Sequence, residues 1–319
     1  MSKPSVTALL RHVIIEGFVN AISRQSHLKL VREMERLRPG SFPFVSADTF
    51  RSLADVVVEK RGVTRRQKLT HRSIVFFDLA QLSEGLGLAK NRAPLRRLAE
   101  VYEELAEAPV LILHNGDKLP DDSVMAWAIE SSYHVYSVNV TKDRAGLTSI
   151  PVGIENVYRN LNGRLEDFIA FRDSNKAEAR TDLVFSSFNI ENNREIRKPL
   201  SEELMASRFP FDSRRISPAE HRRKTRRAKF ILSPPGNGID CHRTWEAVYL
   251  GAVPVVLADY ISTDLIRDLP ILAVSSFREF LGKSQADLLE EFDRVRKAGT
   301  EKAFMPFWIS DVLRRANDL

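Results

Sequence analysis

The chain has a single cysteine, Cys241, in 319 residues. That excludes a disulfide framework and any four-cysteine zinc site, and it fits a reducing compartment. Long apolar runs are also missing. The opening stretch "MSKPSVTALLRHVIIEGFVNAISRQSHLKL" is interrupted by Arg11, His12, Glu16 and Arg24, too broken for a signal-peptide core and far short of a membrane span. No Asp-x-Asp occurs, and the seven histidines show no ligand spacing, so no metal-bound diphosphate and no cofactor are expected. Internal repeats and low-complexity tracts are absent. A cytoplasmic, soluble protein is the expectation.

What is present is ordinary globular material. Hydrophobic residues make up 43% and charged residues 28%, enough for sizeable cores, and the length suits two units of about 150 residues each. A net charge of +6 points to anionic partners without choosing among nucleic acid, lipid head groups and phosphorylated small molecules.

Hydrophobic periodicity reads as helix over residues 5–37, then a short strand "FPFVS" and a helix "DTFRSLADVVVEK" with Asp48 placed to cap it. "SIVFFDL", "PVLILH" and "HVYSVNV" read as strands, with amphipathic "LRRLAEVYEELAEA" and "DDSVMAWAIESS" as helices between them. Residues 157–181 are polar and aperiodic, which places a domain boundary near 178. Beyond it come strand "DLVFSSF", a helix from near Asn193, a helix opened by Ser217, Pro218 and Glu220, strand "FILS", helix "CHRTWEAVYL", strand "VPVVL", and helix "FREFLGKSQADLLEEFDRVRKA". Short apolar runs alternating with amphipathic helices mean parallel strands covered on both faces. The expected fold is therefore α/β with two lobes, residues 1–178 and 179–319. Ligands of such sheets bind beyond the carboxyl ends of the strands.

The most informative stretch is "ILSPPGNGIDCHRTWEAVYLGAVPVVL", residues 231–257. Pro234 and Pro235 end a strand, and Gly236, Asn237 and Gly238 form a loop that something approaches closely. Asp240 is placed to cap the next helix, and Gly251 to end it. Free N–H groups at that helix start suit a phosphate. Arg243 and Glu246, three residues apart, share a face. An arginine fork can hold a diphosphate, and a carboxylate can accept two ribose hydroxyl protons. The plainer alternative is a surface ion pair. The loop is neither a P-loop, since no Lys-Ser/Thr follows the glycines, nor a GxGxxG fingerprint.

"SPPGNGIDCHRTWEAVYLGAVPVV" resembles the donor-binding segment of exostosin-like glycosyltransferases, and "LVFSSFNIENNREIR" is similar to the start of their nucleotide lobe. The resemblance implies the GT-B fold of two facing Rossmann-like lobes. It also implies that Arg243 contacts the donor diphosphate and Glu246 the nucleoside ribose. Lacking the membrane anchor of eukaryotic members, the chain is expected to be a bacterial-type cytoplasmic enzyme with an intracellular acceptor, a surface polysaccharide or lipopolysaccharide precursor.

Arg194 and Arg197 could complete a diphosphate clamp, although arginines at helix starts are common. Inverting transfer needs a base on the first lobe. His114, Asp117 and Asp48 are the candidates, each with a plainer role in a turn or cap; retaining transfer would need none. The basic runs "KRGVTRRQKLTHR" and "RRKTRRAK" read first as solvated faces, otherwise as a contact with an anionic glycan or the inner membrane leaflet. Neither has the interleaved aromatics of a single-strand nucleic-acid platform. The rival reading is a non-catalytic anion- or nucleic-acid-binding protein, supported by net charge alone. Trp245 and Tyr249, four apart, are read as core.

Overall fold

The computed structural model describes residues 38 and 40–317, apart from 67–71, 84–92, 120, 160–164, 167, 170–178, 210 and 213–215. The helix expected over 5–37 lies outside the described residues.

The first described helix, α1 (Ala47–Leu53), is capped by Ser46, whose side chain accepts from the Thr49 backbone N–H. Asp48, expected as the cap, lies inside the first turn. The helix expected to run on to residue 60 stops at Ala54 in extended conformation. Three consecutive β-branched valines then form β1 (Val56–Glu59), where stiff side chains pack well. β1 turns back as an antiparallel hairpin with β2 (Gly62–Arg65). β3 (Ile74–Asp78), α2 (Ala93–Glu104), β4 (Val110–His114), α3 (Asp122–Ser131), β5 (His134–Ser137) and β6 (Leu147–Ser149) follow.

The sheet order is β2-β1-β3-β4-β5-β6, and every pairing after the hairpin is parallel. β3 and β4 are buried along their whole length, as strands covered on both faces must be. Asp78 pairs with His114, so these two strands end level and their loops start together.

The second sheet is built from β7 (Asp182–Phe185), α4 (Arg194–Ala206), α5 (Pro218–Arg227), β8 (Ala228–Leu232), α6 (His242–Tyr249), β9 (Val253–Leu257) and β10 (Leu272–Val274). Its order is β10-β9-β8-β7, all parallel. Gly251 takes a positive φ of 73° just beyond α6, the helix stop expected from the sequence. The single helix expected near residues 277–298 is two, α7 (Phe277–Gly282) and α8 (Gln285–Val295), because Ser284 and Asp287 form a capping box that starts a new helix.

The last helix, α9 (Met305–Ala316), returns to the first sheet. Met305 N donates to Pro43 O, Tyr136 donates its hydroxyl proton to Asp311, and Arg72 N donates to Ala316 O. Its buried stripe of Met305, Trp308, Val312 and Ala316 joins the core around β3 and β4. No described helix is long and apolar enough to cross a membrane.

The second sheet runs in strict chain order, and the first turns back only at the antiparallel β1–β2 hairpin, so neither has a switch point among its parallel strands. What converges instead is the loops at the carboxyl ends of the two sheets. Asn139, after β5, accepts from the Asp240 backbone N–H, and the backbone N–H of Val152, after β6, donates to the Asp240 carboxylate.

Candidate functional site

The loop from Ser233 to Cys241 leaves β8 and enters α6 at this junction. Its glycines make room for protein groups. A Cβ on Gly236 would lie 2.8 Å from Nη2 of Arg197, and one on Gly238 would lie 3.0 Å from the Asn139 side chain and 3.1 Å from the Asp117 carbonyl. Asn237 between them is exposed. Arg197 is buried, and its guanidinium donates to the carbonyls of Pro235, Pro234 and Asn189. Burial, and then the nearby charge of Arg243, push its pKa down to about 10. It is a strut for the loop; its donors are committed to backbone rather than turned to a diphosphate. Arg194 is 62% exposed and pairs with Glu191 one turn away, the ordinary role of an arginine at a helix start.

The helix start itself differs from expectation. Cys241, not Asp240, is the N-cap residue, and it makes no side-chain capping bond. Asp240 is instead a buried acceptor for Trp245 Nε1, at 2.9 and 2.8 Å, and for Val152 N. Burial pushes its carboxyl up to about 6. Trp245 and Tyr249 turn into the first-sheet core, as expected. The Tyr249 hydroxyl donates to Ala303 O and accepts from Val45 N, tying α6 to both ends of the described chain.

Arg243 and Glu246 occupy the other side of α6. The surface ion pair is not formed: among the described residues neither side chain makes a salt bridge or hydrogen bond, and Glu246 is only 8% exposed. Arg243 Nε is buried with no partner there. Burial raises the Glu246 carboxyl, opposed by His242, Arg243 and Arg222, while Glu155 of the first half raises it further. His221 is driven down to about 3 by burial and by Arg243, Arg222 and Lys224. The charges of His242, Arg243 and Arg222 therefore act on Glu246 against that of Glu155.

The three residues considered for a base are not brought together. Asp48 has a fully buried side chain and accepts from Arg38 Nε at 2.6 Å. Arg38 also pairs with Glu59 and Asp78. Burial pushes Asp48 up to about 6 against that pairing. His114 is buried between Pro151 O, 3.1 Å from Nε2, and Asn115 N, which donates to Nδ1 at 2.7 Å. A carbonyl only accepts and an amide N–H only donates, so Nε2 carries the proton and both nitrogens are committed. Burial lowers His114 to about 3. Asp117 alone is exposed, on the loop that abuts Gly238.

Sequence reasoning missed Asn139, Glu155 and Arg222. Asn139 and Asn115 both follow strands with positive φ, 60° and 64°, a conformation that asparagine tolerates; asparagine at a strand end was the available signal. Arg222 was hidden in a basic run, yet it is 4% exposed. Other members of the runs serve local acids: Arg65 pairs with Glu104, Arg72 with Glu107, Lys224 with Asp212 and Arg227 with Asp182.

No family model matches the chain, and no curated protein matches it. Among solved structures it is similar to a crystal structure from Listeria monocytogenes described as a UDP-N-acetylglucosamine 2-epimerase, with 14% identity and a TM-score of 0.37 over 75% of this chain and 71% of that one. At that score the two chains share a loose likeness only, and the reading below rests on the geometry of this chain.

Proposed function

We propose that the protein is a glycosyltransferase that moves a sugar from a nucleotide-sugar donor to a glycan acceptor, in the manner of the exostosin-like GT-B enzymes that residues 231–257 resemble. The observation that carries this is that Arg243 and Glu246, on α6, have no hydrogen-bond or salt-bridge partner among the described residues, and that Arg243 Nε is buried without one. A buried donor and a buried carboxylate left without partners are each costly. An anion alone would satisfy Arg243 and leave Glu246 beside it uncompensated. A nucleoside diphosphate satisfies both, its phosphates at Arg243 and its ribose hydroxyls at Glu246.

In this reading the Gly236–Gly238 loop lines the donor site, and Arg197 acts by holding that loop. Arg243 and the uncapped start of α6, with Arg222 behind, meet the charge that develops on the departing diphosphate, so no metal is called for. The acceptor, a bacterial surface polysaccharide or lipopolysaccharide precursor, belongs on the first lobe. There Asp117 is the base if transfer inverts. A cytoplasmic enzyme with a peripheral membrane contact fits such an acceptor, and nucleic acid is not a partner.

A thermal-shift screen of nucleoside diphosphates and nucleotide sugars tests the reading, followed by calorimetry on Arg243→Ala. At least one nucleotide should stabilise the protein, and the variant should bind it about 1.5–3 kcal/mol more weakly. A protein that no nucleotide stabilises is not this enzyme.

A further inference from the structure

We propose that His242 reads the sugar of the donor, its Nε2 accepting a hydrogen bond from a hydroxyl of the sugar that is transferred. This deepens the donor-site reading above and rests on it.

His242 is the first residue of α6, and it is exposed. An exposed imidazole at a helix start ordinarily turns freely in water. This one is held, because Nδ1 lies 2.8 Å from the carbonyl oxygen of Gly153. A carbonyl only accepts, so Nδ1 carries the proton, and Nε2 of the neutral ring is left with its lone pair. Nε2 makes no hydrogen bond among the described residues. The anchor is itself fixed: Ile154 N donates to Val45 O at 2.8 Å. Gly153 has a φ of 67°, and a Cβ there would lie 2.0 Å from Val45 O, so the segment sits this close only because residue 153 is glycine. The first lobe thus gives His242 one orientation and one tautomer.

Three side chains of α6 follow one another from the core outward. Glu246 is 8% exposed, Arg243 is half-buried and His242 is exposed. His242 and Glu246 are four residues apart and share one face, with Arg243 three residues from Glu246. A nucleotide sugar carries its ribose, its diphosphate and its sugar in the same order. With the ribose at Glu246 and the diphosphate at Arg243, the sugar comes to His242. That residue also stands where the lobes touch, since Gly153 follows β6 of the first sheet. Transfer to an acceptor on the first lobe brings the sugar to the same place.

The chemistry of Nε2 selects the group it meets. A lone pair repels a phosphate oxygen and accepts from an O–H. Once the ribose is at Glu246, the hydroxyls left for Nε2 are those of the sugar. His242 is then a specificity residue of the donor site, and Gly153 O sets its tautomer.

The test is calorimetry on the full chain with UDP-glucose, UDP-galactose, UDP-N-acetylglucosamine, GDP-mannose and dTDP-rhamnose, each beside its own nucleoside diphosphate. The ratio of the two affinities isolates the sugar. His242→Asn keeps an amide N–H near Nδ1 for Gly153 O and has nothing in the place of Nε2. For the tightest-bound nucleotide sugar it should lower that ratio about three- to tenfold, the worth of one neutral hydrogen bond. Affinity for the nucleoside diphosphate should not change. His242→Gln, whose amide oxygen reaches the place of Nε2, should keep more of the ratio although the bond to Gly153 is lost. Arg243→Ala should weaken both members of each pair and leave the ratio alone.

An unchanged ratio in His242→Asn overturns the inference, with nucleotide binding itself intact. Equal weakening of nucleotide sugar and nucleoside diphosphate overturns it as well, because the imidazole would then meet the phosphates or act through the fold. If none of these nucleotides binds the unmodified protein, the glycosyltransferase reading falls and takes this inference with it.

Discussion

The Arg197 guanidinium fills the space where a side chain on Gly236 would have to go, with Nη2 2.8 Å from the position of such a Cβ. Arg197 lies near the start of α4 and Gly236 in the loop after β8, and together they set the path of that loop into α6. Gly236→Ala must therefore displace a guanidinium bonded to three carbonyls. A loss of about 1–3 kcal/mol is expected, the usual cost of overpacking a filled site. Urea unfolding measures it, and a variant as stable as the parent would show that Arg197 has another place to go.

Asp117 is the first-lobe carboxylate that lies exposed at the junction, with its backbone against Gly238. As base it would act on the chemical step and not on the donor. Asp117→Asn should lower kcat by about 10²–10⁴ while nucleotide affinity hardly changes. Turnover assayed by release of nucleoside diphosphate decides it. Near-normal turnover means a retaining mechanism or a different base. Asp48→Asn is a poorer probe because it breaks the buried pairing with Arg38.

The parallel sheets were legible because β3, β4, β8 and β9 are short apolar runs bounded by turn residues, and burial on both faces leaves that pattern in the sequence. The valines of β1 were read as helix because they continue an apolar period across Ala54, and only tertiary pairing to β3 decides otherwise. α9 carries a helical stripe of Met305, Trp308, Val312 and Ala316, so the helix was there to be read; its return to the first sheet was not, since packing partners leave no local trace. At the site, the Arg243–Glu246 spacing was visible. The reason for the glycines was not: the groups that crowd them, Arg197 and Asn139, lie 39 and 99 residues away.

If arginines and a helix start meet the charge of the departing diphosphate, chelation should matter little. Donor consumption in excess EDTA should stay close to that in magnesium. Complete loss, restored by manganese, would instead require carboxylates acting through a metal.

Tyr249 joins three separated segments through one hydroxyl, which donates to Ala303 O at 2.6 Å and accepts from Val45 N at 3.2 Å. The group is fully enclosed, so Tyr249→Phe leaves a carbonyl and an N–H without partners. The cost should be about 1–3 kcal/mol, with little change in ring packing. Denaturant unfolding would read this directly. A neutral substitution would mean that water enters and takes over both bonds.

Asp240 makes the stability of the lobe junction depend on pH. Folded, its carboxyl is pushed by burial from the ordinary 3.8 up to about 6. Between these two values the folded chain holds a proton that the unfolded chain has released. Stability therefore falls as pH rises through this window, being fully present below about 4 and lost above about 6. A displacement of that size corresponds to on the order of 2–3 kcal/mol. Asp48, also pushed up to about 6, adds a slope of the same sign, so the parent alone cannot isolate Asp240. Asp240→Asn can. Oδ2 of Asp240 accepts from both Val152 N and Trp245 Nε1, at 2.8 Å each, and an asparagine oxygen placed there keeps these two bonds without a charge, giving up only the 2.9 Å bond from Trp245 Nε1 to Oδ1. The variant should gain on the parent between pH 4.5 and 7.5, and the gap should widen toward neutral pH. Urea unfolding of both proteins across that range measures the gap. Parallel curves would mean that Asp240 is ionised in the folded protein, held so by the Trp245 and Val152 donors, and that burial does not decide its charge.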